Sequence, residues 1–163
     1  MLSPRCWCVQ ASTGDRKVDH VSTETNPEPS ASPSEVRPGP SAGLEISNAM
    51  VRLYKEQFGR GPTKARTYWC SPDVITVTLE DTLTPVERNL VRLGEHQRLR
   101  DLRTFFQYAS VREFCEPIET ITGRKVRAFF SAIDTHVDGM SLETFVLHPQ
   151  GTDGPSRTEY PET

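Results

Sequence analysis

The sequence predicts an α+β fold: a two-layer sandwich in which an antiparallel four-stranded sheet carries its helices on one face, in the order α-β-β-α-α-β-β. Three observations predict it. Apolar residues after Leu44 recur at helical spacing, two pairs of β-rich runs are each joined by a short turn, and helical patterns stand before and between those pairs. Hairpins need only short turns, whereas parallel pairing needs long crossovers, so the pairs are antiparallel.

The elements follow in order. Ile46, Met50, Leu53, Tyr54 and Phe58 share one face of a first helix, which Gly59, Gly61 and Pro62 stop. KARTYW (64–69) and VITVTLE (74–80) form a hairpin; Ile75, Val77 and Leu79 alternate with Thr76, Thr78 and Glu80, so one face of the sheet favours water. Thr84, Pro85 and Glu87 have the spacing of a capping box with proline at the first helical position, and a short helix begins there. Gly94 ends or bends it. Leu99, Leu102, Phe106 and Ala109 then continue an apolar helical face through Phe114 towards Ile118 and Ile121, with Pro117 expected to kink or restart the helix. Gly123 stops it, and VRAFFSAI (126–133) and MSLETFVL (140–147) form the second hairpin. The uncovered sheet face is open to solvent or to a second copy of the chain.

Composition divides the chain in three. Residues 1–43 hold six of the thirteen prolines and no periodic apolar pattern, and 150–163 are equally poor in groups that pack, so both ends read as disordered around a domain at 44–149. That domain balances fourteen Lys/Arg against fourteen Asp/Glu, which argues against a nucleic-acid binder relying on a net basic field. The sequence contains neither a run of about 20 apolar residues nor a secretory leader pattern, so the expected location is cytoplasmic. Four cysteines in this pattern suggest no disulfide framework.

Chemistry is sparsely signalled. In GRGPTKA (59–65), Gly59 and Gly61 free backbone amides while Arg60 and Lys64 add positive charge, the makings of an anion- or partner-binding loop. The same residues end a helix and turn the chain into a strand, which the local geometry already demands and which is the favoured reading. The spacing is not that of a P-loop. Arg88, Arg92, Arg98, Arg100 and Arg103 form a basic series, but Glu87, Glu95 and Asp101 interleave it as on a solvated helix surface. Cys70 and Cys115 lack a local nucleophile motif with His96, His136 or His148, and Cys115 reads as a small buried hydrophobe. No metal-ligand spacing is present, so no catalytic residue, metal or cofactor is assigned. A small-molecule or nucleotide-handling enzyme whose site is assembled from distant residues stays open as the alternative to a non-enzymatic role.

The runs ISNAMVRLYKEQFGRGPTKARTYW, LEDTLTPVERNLVRLG, LRDLRTFFQ, ITGRKVRAFFSAID and TFVLHP together resemble a bacterial family, once a domain of unknown function, labelled Na+-translocating membrane potential-generating system MpsC-like. The resemblance spans about 46–149. Its motif positions here are Gly59, Arg60, Gly61, Pro62, Lys64, Thr84, Glu87, Gly123 and Arg124. It implies an accessory or regulatory protein associated with a membrane cation or inorganic-carbon uptake system, acting through a transporter partner, and it supplies no catalytic residues. Gly59, Arg60, Gly61, Lys64 and Arg124 are the candidate anion- or partner-binding residues.

Overall fold

A computed structural model describes residues 40–160 of the chain. Helix α1 (Pro40–Phe58) starts four residues before Leu44, inside the stretch expected to lack structure; the remainder of that stretch lies outside the described residues. Proline suits a first helical turn. Ser47 ties that end of the helix to the sheet, its hydroxyl donating to the Gly43 carbonyl at 2.9 Å and lying 2.8 Å from Thr67 Oγ1.

Strands β1 (Lys64–Ser71) and β2 (Val74–Glu80) pair from Lys64↔Glu80 to Ser71↔Val74, with an irregularity between Trp69 and Ser71. Strands β3 (Val126–Ile133) and β4 (Ser141–Leu147) form the second hairpin, and β4 docks antiparallel beside β2 to give the order β1-β2-β4-β3. The fold is therefore the α+β sandwich expected, and the tertiary structure supplies the strand order. Ile75, Val77, Leu79, Phe129, Phe145 and Leu147 are buried beneath Ile46, Met50 and Tyr54 of α1 and the later helices. Phe129 stacks on Phe145 at 5.2 Å and on Phe114 at 5.1 Å. Each large apolar side chain so buried contributes about 1.5–3 kcal/mol. The opposite sheet face presents Thr76 and Thr78, as expected, but also the exposed side chains of Tyr68, Phe130 and Leu142.

Between the hairpins lie three helices where two were expected, making the order α-β-β-α-α-α-β-β. Helix α2 (Pro85–Arg92) opens with the complete capping box: the Glu87 amide donates to Thr84 Oγ1 and the Thr84 amide to Glu87 Oε2. Gly94 ends it with φ +76°. Helices α3 (His96–Ala109) and α4 (Val111–Thr122) are separated at Ser110, whose φ of −109° and ψ of 27° leave the helical region. Pro117 stands inside α4 and forfeits one amide bond, while its ring fixes a φ that helices use. Gly123 terminates α4 with φ +66°.

Two further expectations are corrected. The inward face of α3 is Leu99, Arg103 and Gln107, whereas Leu102, Phe105 and Phe106 are exposed. The segment after Pro149 is built onto the fold as far as Tyr160: Ser156 is buried, donates to Glu119 Oε1 at 2.6 Å, and caps a 3-10 turn at Arg157–Glu159. His148 Nε2 reaches the Pro155 carbonyl at 3.0 Å. Polar anchors of this kind do not register in a reading that looks for apolar surface to bury.

Candidate functional site

The residues singled out from the sequence fall at opposite ends of the β1–β2 hairpin. At the end where β1 begins, Arg60 donates to both oxygens of Asp81 (2.5 Å to Oδ2) and to the carbonyls of Asp81 and Leu83. Asp81 also accepts from Arg88 at 2.6 Å, and these two guanidinium groups hold its carboxyl below the usual carboxylate range. Asp81 adopts φ +56°, a conformation that Asp tolerates better than most residues. Lys64 pairs with Glu80 at 2.9 Å. Arg124 sits at the other end, bound to Asp73 and to the Pro72 and His148 carbonyls. Gly59 has the left-handed φ of +70° that a helix end requires. The cations of the loop are thus engaged in closing the hairpin against α2, and an incoming anion would have to displace Asp81. Arg60, Lys64 and Arg124 do not form one site.

The most unusual chemistry is in the core and carries no motif. The inward alternation of β4 places Ser141, Glu143, Phe145 and Leu147 on the helix-facing side, so Glu143 is fully buried in a central strand. Its Oε1 accepts from the Tyr54 hydroxyl at 2.5 Å, Gln107 Nε2 at 3.0 Å and the Ser131 hydroxyl at 3.1 Å; its Oε2 has no hydrogen-bond partner among the described residues. Burial pushes the carboxyl up to about 8 against those donors and the nearby Arg103. Burial and the Glu143 carboxylate likewise raise the Tyr54 hydroxyl well above its ordinary range.

Arg103 is the second half of this interior. Expected in a basic surface series, it has no solvent exposure; it grips Glu87 through Nε (2.5 Å) and Nη2 (2.8 Å), donates to the Thr82 carbonyl at 2.9 Å, and lies 3.9 Å over the Phe58 ring. Burial raises the Glu87 carboxyl, but Arg103 and the Thr84 amide outweigh it and hold it below the carboxylate range. One residue, Glu87, therefore caps α2 and fastens it to α3.

These two carboxylates explain the orientation of α3. Turning Leu102, Phe105 and Phe106 inward would strip the buried Glu87 carboxylate of Arg103, take the Gln107 amide from Glu143, and carry Leu99 out of the core. The inward face is therefore the polar one. Leu102, Phe105 and Phe106 are left 42%, 67% and 46% exposed, and Phe106 meets Phe58 edge-on at 6.5 Å, joining α1 to this surface.

Nucleophilic chemistry finds little support in the arrangement. Cys115 is buried and burial pushes its thiol up to about 12, away from the reactive thiolate; Cys70 is exposed on β1. His96 stacks on His136 at 4.3 Å and lies 3.0 Å from Thr135 Oγ1, which also accepts from Arg100 at 3.0 Å, while His148 is held by the terminal segment. Among the described residues there is no group of three His, Cys, Asp or Glu able to hold a metal ion.

Glu143 was legible only through its place two residues before Phe145 on one face of β4. Leu142, Thr144 and Val146 made the other face equally plausible, so the alternation alone did not decide the matter. The family model that matches this chain covers residues 42–149 and is described as Na+-translocating membrane potential-generating system (MpsC). No curated protein and no solved structure matches the chain.

Proposed function

Since the chain belongs to the MpsC family, we propose that it is a non-enzymatic accessory or regulatory module of a membrane cation or inorganic-carbon uptake system, working by contact with an integral membrane partner. The observation that carries this reading is the outward face of α3. Leu102, Phe105 and Phe106 form an apolar surface held outside by the pairing of Arg103 and Gln107 within, and apolar surface retained on a folded domain marks a contact site. No helix among the described residues is long and apolar enough to cross a membrane, so in this reading translocation itself falls to the partner.

The test is affinity capture of the tagged full chain from detergent-solubilised native membranes, beside a Phe105→Ser variant. Phe105 contacts the aromatic Phe106 but is mostly exposed, so the variant folds. The expected result is recovery of an integral membrane transporter with the wild type and its loss with the variant. Equal recovery with both would remove α3 as the contact, and recovery of no membrane protein would sink the accessory role.

A further inference from the structure

Between α1 and α4 runs a groove of about 490 Å³. Ala49, Arg52, Leu53 and Glu56 line it from α1, and α4 lines it from Glu113 to Thr120 at the same i, i+3, i+4, i+7 spacing. Its floor is apolar, with Leu53 buried and Ile121 half-buried. Parallel stripes at this spacing, about 10 Å or two turns long, are the template on which a further helix packs.

The rim gives that helix a charge. Glu56, Glu113 and Glu116 face Arg52 alone, a formal balance of −2. Their carboxylates are exposed and have no hydrogen-bond or ion-pair partner among the described residues, whereas Asp73, Glu80, Asp81, Glu87, Glu95 and Glu119 are all paired. Pro117, also in the groove, has no N–H, so the Glu113 carbonyl has no i+4 donor within the helix. Unpaired carboxylates and a carbonyl acceptor over an apolar floor suit an amphipathic helix whose polar face carries Lys or Arg.

We propose that this groove docks a basic amphipathic helix, supplied by the juxtamembrane segment of an integral membrane partner. Membrane proteins concentrate Lys and Arg in cytoplasmic segments beside their spans, whereas the anionic lipid surface would repel this rim. The source of the helix rests on the accessory role proposed above; the preference for a basic helix rests on the groove alone.

The experiment titrates the full 163-residue chain into a fluorescein-labelled peptide of about five turns, with Leu at i, i+3, i+4 and i+7 and Lys elsewhere, and into its counterpart with Glu for Lys. Fluorescence anisotropy is followed at low and high salt. The Lys peptide is expected to bind, more weakly as salt rises, and the Glu peptide not to bind. The combined Glu56→Gln, Glu113→Gln, Glu116→Gln variant should weaken binding about tenfold or more, and Arg52→Gln should strengthen it about threefold, a gain that misfolding cannot produce. Absent binding, or equal binding to the triple variant, would overturn the groove assignment. Sedimentation showing self-association that the triple variant loses would replace the partner helix with a second copy. Peptide binding with no transporter captured from membranes would overturn the juxtamembrane source while leaving the preference for a basic helix in place.

Discussion

Replacing Glu143 by glutamine should change how the stability of this protein depends on pH. In the unfolded chain the carboxyl loses its proton near 4.5, and in the folded protein it holds that proton to about 8 because burial disfavours the charge. Between those values the folded state binds more protons than the unfolded state, so stability falls as pH rises. The contribution is fully present below pH 4.5 and is lost by the time pH has passed through about 8. At about 1.4 kcal/mol per pH unit, the interval from pH 5 to pH 8 removes about 4 kcal/mol from the wild type. A glutamine amide is neutral throughout and keeps an oxygen for Tyr54, Gln107 and Ser131, so the Glu143→Gln variant lacks this slope. Groups remote from Glu143 cancel in the comparison of the two proteins, and Tyr54, which touches it, titrates well above the window. Urea unfolding at half-unit steps from pH 5 to pH 9 measures the difference. The midpoints should diverge with rising pH by about 2 M, for an m-value of about 2 kcal/mol per M, and level off beyond pH 8. Parallel curves across the whole range would show that Glu143 is not held neutral by its burial.

Other substitutions test the remaining structural claims. Arg103→Ala leaves Glu87, 5% exposed, without its guanidinium partner; a loss of about 3–5 kcal/mol in chemical unfolding is expected, much of it restored by adding Glu87→Gln. Gly139→Ala meets two obstacles, a φ of +71° and a Cβ 2.7 Å from Leu83 Cδ2, so thermal unfolding should report a loss of about 2 kcal/mol or more. With Cys6 and Cys8 changed to serine, a thiol reagent should modify exposed Cys70 in the native protein and reach Cys115 only after unfolding; equal rates would contradict the burial of Cys115.

Much of the fold was legible because local chemistry and global structure agree. Thr84, Pro85 and Glu87 announce the start of α2, Gly123 stops α4, and the alternation of β2 survives intact. Where the reading failed, groups distant in sequence decided. The spacing of Leu99, Leu102 and Phe106 is a sound inward face for an isolated helix, and nothing nearby reveals that Glu87 lies buried 16 residues before Arg103 and Glu143 lies 36 residues after Gln107. The bond between Arg60 of the GRGP loop and Asp81, 21 residues away, likewise lies beyond any local reading.

By itself the sequence determined the local elements and the layer they build: where helices start and stop, which runs are strands, and that the hairpins are antiparallel. Those features depend on backbone dihedrals, capping and the period of apolar residues, all set within a few positions. The tertiary structure decided which way α3 faces, which cations are engaged, and that β4 stands beside β2 with a carboxyl in the core. Those outcomes come from balancing desolvation of buried charge against burial of apolar surface, and the partners in that balance meet only once the chain has folded.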